Sequence, residues 1–289
     1  MPAHATLTCS VRRSVSSNTV VAQPVAPSEG YARHVTGSAF RSTLEDNPIV
    51  RFSSILVLTY GRTGSTLLTG VLNSIPGVLV RGENQNMFAG LYQGYRRLRS
   101  TREMYAENAH CPTSPFFGTH RLCERRYLSH ARDLARDQLV TGSTREVAVY
   151  GFKETRYTRA LLEEDGVGPL APYLDFLAEL FPSPAFVVLT RAQGDVAASS
   201  FWRRLGEEEA RRQMSWFDYD VQAWGRGRAD VLHLDYDAAL AGPRPYGALF
   251  DFLDAAYDRA AVARVLGVRY SNDIRRPDVA ALPSPGEAC

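Results

Sequence analysis

Hydrophobic positions along the chain follow two alternating patterns. Short β-branched runs, Ile55 to Thr59, Val78 to Val80, Val147 to Phe152, Ala185 to Thr190 and Val231 to Leu234, predict strands. Between them lie longer amphipathic stretches, with helices expected to begin near Thr66, Glu124, Pro169, Asp195, Glu207, Tyr246 and Ala260. Leu249, Phe250, Phe252 and Leu253 supply one core-facing stripe. Strand and helix in repetition predict an α/β fold: a central, mostly parallel sheet with helices on both faces, hence three layers. No internal repeat is visible.

The pattern weakens in two places. Residues 1–50 lack useful periodicity and have no acidic residue before Glu29, so they are expected to form a flexible leader, with the folded domain, 51–289, beginning near Arg51. Arg12-Arg13 and the serines hint at an organelle transit segment, but no continuous apolar core marks a secretory signal, and the cytoplasm is the default expectation. Residues 84–146 separate the second and third strands by more than a usual crossover. With ten arginines against six acidic residues, they are expected to form an inserted helical cap over the carboxyl edge of the sheet.

Composition narrows the function classes. At 289 residues with 45% hydrophobic and 22% charged residues, the chain can bury a sizeable single core. The longest apolar runs, such as Ala185 to Leu189, are too short for a transmembrane helix. A net charge of +2 argues against a nucleic-acid partner. Cys9, Cys111, Cys123 and Cys289 form neither a C-x-x-C pair nor a dense framework, and the spacings of His110, Cys111, His120, Cys123 and His130 match no common metal motif, so no metal is expected. Of the 33 basic residues only Lys153 is a lysine, which singles it out where an arginine would have served elsewhere. Oligomeric state is not readable from these quantities.

The strongest local signal is ILVLTYGRTGSTLLTGVL: an apolar strand ending at Tyr60, a loop with Gly61 and Gly64, then a helix opening at Ser65 or Thr66. Backbone N–H groups freed by the glycines, the helix N-terminus and the Ser65 and Thr66 hydroxyls suit a phosphate. A Walker A loop requires G-x-x-x-x-G-K-[ST]; this loop is shorter and no lysine precedes Ser65, which disfavours a nucleoside triphosphate. A second segment, AFVVLTRAQGDVAASSFWR, places Arg191 just after a strand and Ser199 eight residues later, expected on a helix that Asp195 starts. A guanidinium and a hydroxyl so placed can grip one phosphate from two sides.

These two segments resemble the donor motifs of sulfotransferases that use 3'-phosphoadenosine 5'-phosphosulfate. GRTGSTLL, with arginine where the cytosolic aryl and steroid enzymes have lysine, looks more like the carbohydrate and bacterial branches. The resemblance implies a P-loop-type sandwich, with Arg62, Thr63, Gly64, Ser65 and Thr66 cradling the 5'-phosphosulfate and Arg191 and Ser199 binding the 3'-phosphate. HLDYDAAL resembles the family's strand-end tyrosine, which makes Tyr236 the expected adenine contact, although Asp237 stands where glutamate is usual. Arg275 and Arg276 stand where relatives carry a basic loop over the 3'-phosphate, without that loop's glycine.

The chemistry then implied is metal-free in-line displacement at sulfur onto a hydroxyl of a small-molecule or carbohydrate acceptor, leaving adenosine 3',5'-bisphosphate. It needs a general base and positive charge around the transferring group. Glu83, in GVLVRGENQN, matches the family's strand-end glutamate base; pairing with Arg81 or helix capping is its structural alternative. Lys153, in VYGFKETRY, emerges at the same sheet edge and joins Arg62 as an expected donor to the sulfuryl or leaving oxygen, with Glu154 and Arg156 orienting it or forming a surface ion pair. Competing classes are a P-loop kinase, which should carry the Walker lysine and an acidic magnesium ligand, and a non-catalytic binder on a nucleotide fold.

Overall fold

The five β-branched runs become β1 (Ser54–Thr59), β2 (Val78–Arg81), β3 (Val149–Glu154), β4 (Pro184–Thr190) and β5 (Val231–Asp235). A computed structural model of the protein describes residues 50–199 and 202–268. The strands hydrogen-bond in the order β2-β3-β1-β4-β5, every neighbouring pair parallel. The leader up to residue 49, Cys9, Arg275, Arg276 and Cys289 lie outside the described residues.

Among the described residues ten α-helices flank the sheet: α1 (Ser65–Leu72), α2 (Phe88–Met104), α3 (Glu124–Val140), α4 (Arg159–Glu164), α5 (Leu170–Leu180), α6 (Gln193–Ala197), α7 (Glu207–Gly225), α8 (Tyr236–Leu240), α9 (Gly247–Leu253) and α10 (Arg259–Leu266). The period of two in the central strands divides the core. Ile55 and Val57 of β1, with Ala185, Val187 and Leu189 of β4, pack against α1, α9 and α10. Leu56 and Leu58, with Phe186 and Val188, pack against α2, α3, α5 and α7. All six β1 side chains are buried, and Ile55 to Leu58 between its polar ends read as a continuous apolar run. Each buried aliphatic side chain there contributes roughly 2 kcal/mol.

Residues 84–146 form the long β2-to-β3 connection, as expected, and their helices α2 and α3 pack into the core on one face of the sheet. Phe88, Tyr92 and Tyr95 of α2 and Leu128, Ala131, Ala135 and Leu139 of α3 join the second layer of the core. The start of α2 escapes sequence reading because Gly90 and Gly94 lower helix propensity. Gly94 has a packing reason: a Cβ there would overlap the Tyr127 hydroxyl, which donates to Leu91 O (2.7 Å) and joins α3 to α2.

The helix following β1 covers one face, whereas the helices following its neighbours β3 and β4 cover the other. The connections part at the carboxyl end of β1. Such a switch point opens a crevice at the strand ends, which is where a doubly covered sheet binds its ligands.

Candidate active site

At that crevice the chain turns from β1 into α1. Thr59 Oγ1 donates to Leu189 O (2.7 Å) and lies 2.6 Å from Thr63 Oγ1, which also reaches Tyr60 O (3.3 Å). The Thr63 hydroxyl is therefore buried in the base of the loop, and what this residue can offer an anion is its backbone. Arg62 and Gly64 both take positive φ, 78° and 84°. Gly64 needs this freedom twice over, since a Cβ added there would also run into the Tyr236 ring. Leu67 N and Leu68 N bond back to Gly64 O (3.0 and 3.2 Å), so Ser65 and Thr66 head α1, where the first amides lack helical partners.

The β4–β5 side forms one wall. Tyr60 OH donates to Arg191 O (3.1 Å) and receives Arg191 N (3.4 Å), fastening the second segment to the first. Burial, aided by nearby Asp218, raises the Tyr60 pKa well above the ordinary tyrosine value, so it stays a neutral donor. Trp202 Nε1 donates to Gly61 O (2.9 Å), a second strut under the loop. The Arg191 guanidinium lies over the Tyr236 ring, 4.7 Å from its centroid. Arg191 Nε and Ser199 Oγ are both buried without a hydrogen-bond partner among the described residues.

The helix after β4 differs from expectation. α6 spans only Gln193–Ala197 with Ala192 at its N-cap, so Asp195 sits in its first turn and Ser199 lies beyond its end. Ser199 N bonds to Val196 O (2.9 Å), an i to i−3 contact that tightens the last turn and ends the α-helix. Asp195 lies 3.8 Å from Arg191 as an exposed, weak pair.

The β2–β3 side forms the other wall. Lys153 is buried on β3 and donates to Glu83 Oε1 at 2.5 Å. Arg81, the alternative partner for Glu83, instead donates to Leu139 O (2.8 Å) and Thr141 O (3.1 Å) at the C-terminus of α3, where a cation suits the helix dipole. Glu154 is no surface ion pair. Fully buried, it accepts the amides of Asn84 (3.1 Å), Asn86 (2.9 Å) and Thr155 (2.7 Å), shaping the turn that presents Glu83. Arg156 is fork-bonded to Asp165 (2.8 and 3.1 Å), a hydrogen bond that raises its pKa further.

Both walls and the loop border one cavity of about 1040 Å³. Arg62, Ser65, Thr66, Arg191, Ser199 and Tyr236 line it, and so does Glu83 from the opposite side, whereas Thr63 and Lys153 stand behind its surface. From the long insertion only Gln85, near its start, reaches the lining.

Residues 54–278 match the model of a sulfotransferase family. The chain belongs to the sulfotransferase family. Among solved structures, it is similar to the sulfotransferase domain of the Synechococcus PCC 7002 olefin synthase, with 18% identity, 81% of this chain and 85% of that chain covered, and a TM-score of 0.45. It is also similar to the sulfotransferase domain from the curacin biosynthetic pathway, with 14% identity, 74% and 78% coverage and a TM-score of 0.43. For sulfotransferase STF9 from Mycobacterium avium the figures are 14%, 76% and 68%, and 0.37. A comparison with curated proteins gave no match.

Family and fold support sulfuryl transfer in general. For this sulfotransferase-family chain, the loop and the Arg191 and Ser199 pair were visible in sequence as spacings around strands. The struts Tyr60 and Trp202 and the buried carboxylate of Glu154 were not, because their partners are backbone groups distant in the chain. Among the described residues, no group of three or more His, Cys, Asp or Glu could hold a metal ion, and no helix is long and apolar enough to cross a membrane.

Proposed function

We propose that the protein moves a sulfuryl group from 3'-phosphoadenosine 5'-phosphosulfate to a hydroxyl of a small-molecule or carbohydrate acceptor, leaving adenosine 3',5'-bisphosphate. The observation that carries this is the pair of buried polar atoms without partners among the described residues, Arg191 Nε and Ser199 Oγ, on residues that line the same cavity as the P-loop. Buried donors without partners are costly, and an anion between them satisfies both. Two separate anion cradles suit a donor with phosphate groups on both its 5' and 3' positions. A single polyphosphate chain on the loop would leave the second cradle unfilled.

When bound, the donor supplies a sulfuryl group already attached to a good leaving phosphate. Arg62, the backbone of Thr63 and Gly64, and the amides and hydroxyls of Ser65 and Thr66 would hold its 5' end, with Arg191 and Ser199 on the 3'-phosphate. Tyr236, held between Gly64 and the Arg191 guanidinium, offers its ring to the adenine. Glu83 takes the acceptor proton. Lys153 fixes one carboxylate oxygen, and Oε2 has no partner among the described residues, so it is the oxygen available for the acceptor hydroxyl.

Thermal unfolding tests the donor assignment. Adenosine 3',5'-bisphosphate at 100 times its dissociation constant should add about 2.7 kcal/mol of stability and raise Tm by several degrees, whereas ATP with magnesium should not. Stabilisation by ATP with magnesium alone would refute the donor assignment. Transfer of label from the phosphosulfate donor to an acceptor then tests the reaction itself.

A further inference from the structure

The two cradles proposed for the donor belong to different pieces of chain. The P-loop leaves β1, whereas Arg191 and Ser199 follow β4. These strands are hydrogen-bonded neighbours, but their ladder ends at Thr59 opposite Leu189. Beyond that point the sheet no longer sets the distance between the cradles. A ribose carrying phosphates at 5' and 3' fixes their separation covalently, so the second phosphate adds its full affinity only where the protein already holds the cradles at the matching distance.

Two buried aromatic residues bridge the gap. Tyr60 clamps the Arg191 backbone from both directions, its hydroxyl donating to Arg191 O (3.1 Å) and accepting from Arg191 N (3.4 Å). Trp202 donates from Nε1 to Gly61 O (2.9 Å). It stands three positions after Ser199, in a turn closed by the bond from Arg203 N to Ser199 O (3.0 Å), so this strut holds Ser199 to the loop. The two rings meet edge to face, with centroids 6.2 Å apart at 87°, and Phe217 of α7 backs Tyr60 at 5.5 Å and 89°. One strut thus ties Arg191 to the loop and the other ties Ser199 to it, and each ring keeps the other in place.

We propose that Tyr60 and Trp202 are positioning residues that set the spacing of the two cradles, and so determine the preference for a nucleotide phosphorylated at both 5' and 3' positions over one phosphorylated at 5' alone. The inference rests on the proposed reading of the cavity. Arg191 and Ser199 supply the contacts to the 3'-phosphate; the aromatic pair supplies their register. Without a strut the nucleotide itself has to hold the cradles at the right distance, and its affinity falls by up to what the strut contributed. A ligand seated on one cradle has no spacing to match and is spared.

Calorimetry on the full-length protein tests it, with adenosine 3',5'-bisphosphate and adenosine 5'-monophosphate as the two ligands. Wild type should prefer the bisphosphate by at least about 30-fold, the contribution of charge-assisted contacts to the 3'-phosphate. Trp202→Phe keeps a buried ring and deletes the donor to Gly61. It should weaken the bisphosphate roughly three- to tenfold, about what one neutral hydrogen bond contributes, and the monophosphate by less than about twofold. Tyr60→Phe, which removes a single oxygen, should do the same, and it carries the test alone where Trp202→Phe fails to fold. Leu128→Ala, buried in α3 outside the cavity lining, should lower Tm and leave the ratio of the two affinities as in wild type. Equal weakening of both ligands in the aromatic variants would make these residues contacts for the shared nucleoside or its 5' end, and overturns the inference. So does an unchanged ratio in both variants, or a ratio that falls as far in Leu128→Ala, where general loosening is the cause. Wild type binding the two nucleotides equally is a different failure, which removes the donor reading and the spacing inference with it.

Discussion

Lys153 Nζ stands 2.5 Å from Glu83 Oε1, and the two partners are unequal: the lysine side chain is 5% exposed and the glutamate 54%. The buried partner is fixed by β3, and it fixes the exposed one. Lys153 thereby acts as a positioning residue for Glu83, reaching across from β3 to the turn that follows β2. A guanidinium is larger and planar, and would have to push that turn outward. Lys153→Arg should lower turnover at least about tenfold while leaving affinity for adenosine 3',5'-bisphosphate within about twofold. Full turnover in Lys153→Arg would show that the pair does not position Glu83 for the reaction.

Glu83→Gln tests the base. The amide keeps size and one acceptor oxygen but removes basicity, so single-turnover transfer should fall by ~100- to 10,000-fold with nucleotide affinity near that of wild type. A variant as fast as wild type would make Glu83 structural, held by Lys153 for the sake of the turn.

Arg191→Ala removes a partly exposed guanidinium whose buried Nε has no partner among the described residues. Affinity for adenosine 3',5'-bisphosphate should drop by about 2 to 3 kcal/mol, roughly 30- to 150-fold, by calorimetry. Ser199→Ala should cost less, since a neutral hydroxyl gives a weaker bond to phosphate than a guanidinium does. Unchanged affinity in Arg191→Ala would place the 3'-phosphate elsewhere.

What was legible in the sequence was whatever local periodicity and spacing encode. The continuous apolar runs at Ile55 to Thr59 and Ala185 to Thr190 mark strands buried on both faces, and the loop glycines mark the turn. The Arg191 to Ser199 interval marked the proposed second cradle, although its helix proved to be a five-residue one that stops short of Ser199. Contacts across the sheet were hidden. Nothing near Lys153 in the chain points to Glu83, seventy residues earlier; the neighbouring positions of β2 and β3, with Arg81 opposite Phe152, bring them together. Gly94 masked α2 for the same reason, because the close approach of Tyr127 from α3 is not a local property.

Gly64→Ala should damage the donor side without touching any charged group. The added Cβ meets the Tyr236 ring, and the backbone is held at φ 84°, where alanine is strained. Tyr236 must then move away from Arg191, so bisphosphate affinity should fall by about tenfold or more in calorimetry. Tyr236→Ala in the same background should recover part of the loss if the ring clash is the cause. No recovery would assign the damage to the backbone alone.

Asp218 on α7 offers a pH test independent of catalysis. Its Oδ1 is buried without a partner among the described residues, Gln193 Nε2 donates to Oδ2 at 3.1 Å, and burial raises the carboxyl pKa. A carboxyl whose folded pKa lies above its unfolded value stabilises the fold below the unfolded pKa, and that contribution is lost as pH rises through the folded pKa. At neutral pH the charged form is therefore a burden, which Asp218→Asn relieves while keeping an acceptor for Gln193. The amide still leaves one buried polar atom unpaired, so the gain is modest, about 1 kcal/mol, or roughly 2 to 4 °C in Tm at pH 7. The difference between wild type and variant should shrink steadily as pH falls toward the ordinary carboxylate range, where both carry a neutral side chain. A variant less stable than wild type at pH 7 would mean that the Asp218 charge is compensated in the folded protein, and that the carboxylate is an asset there.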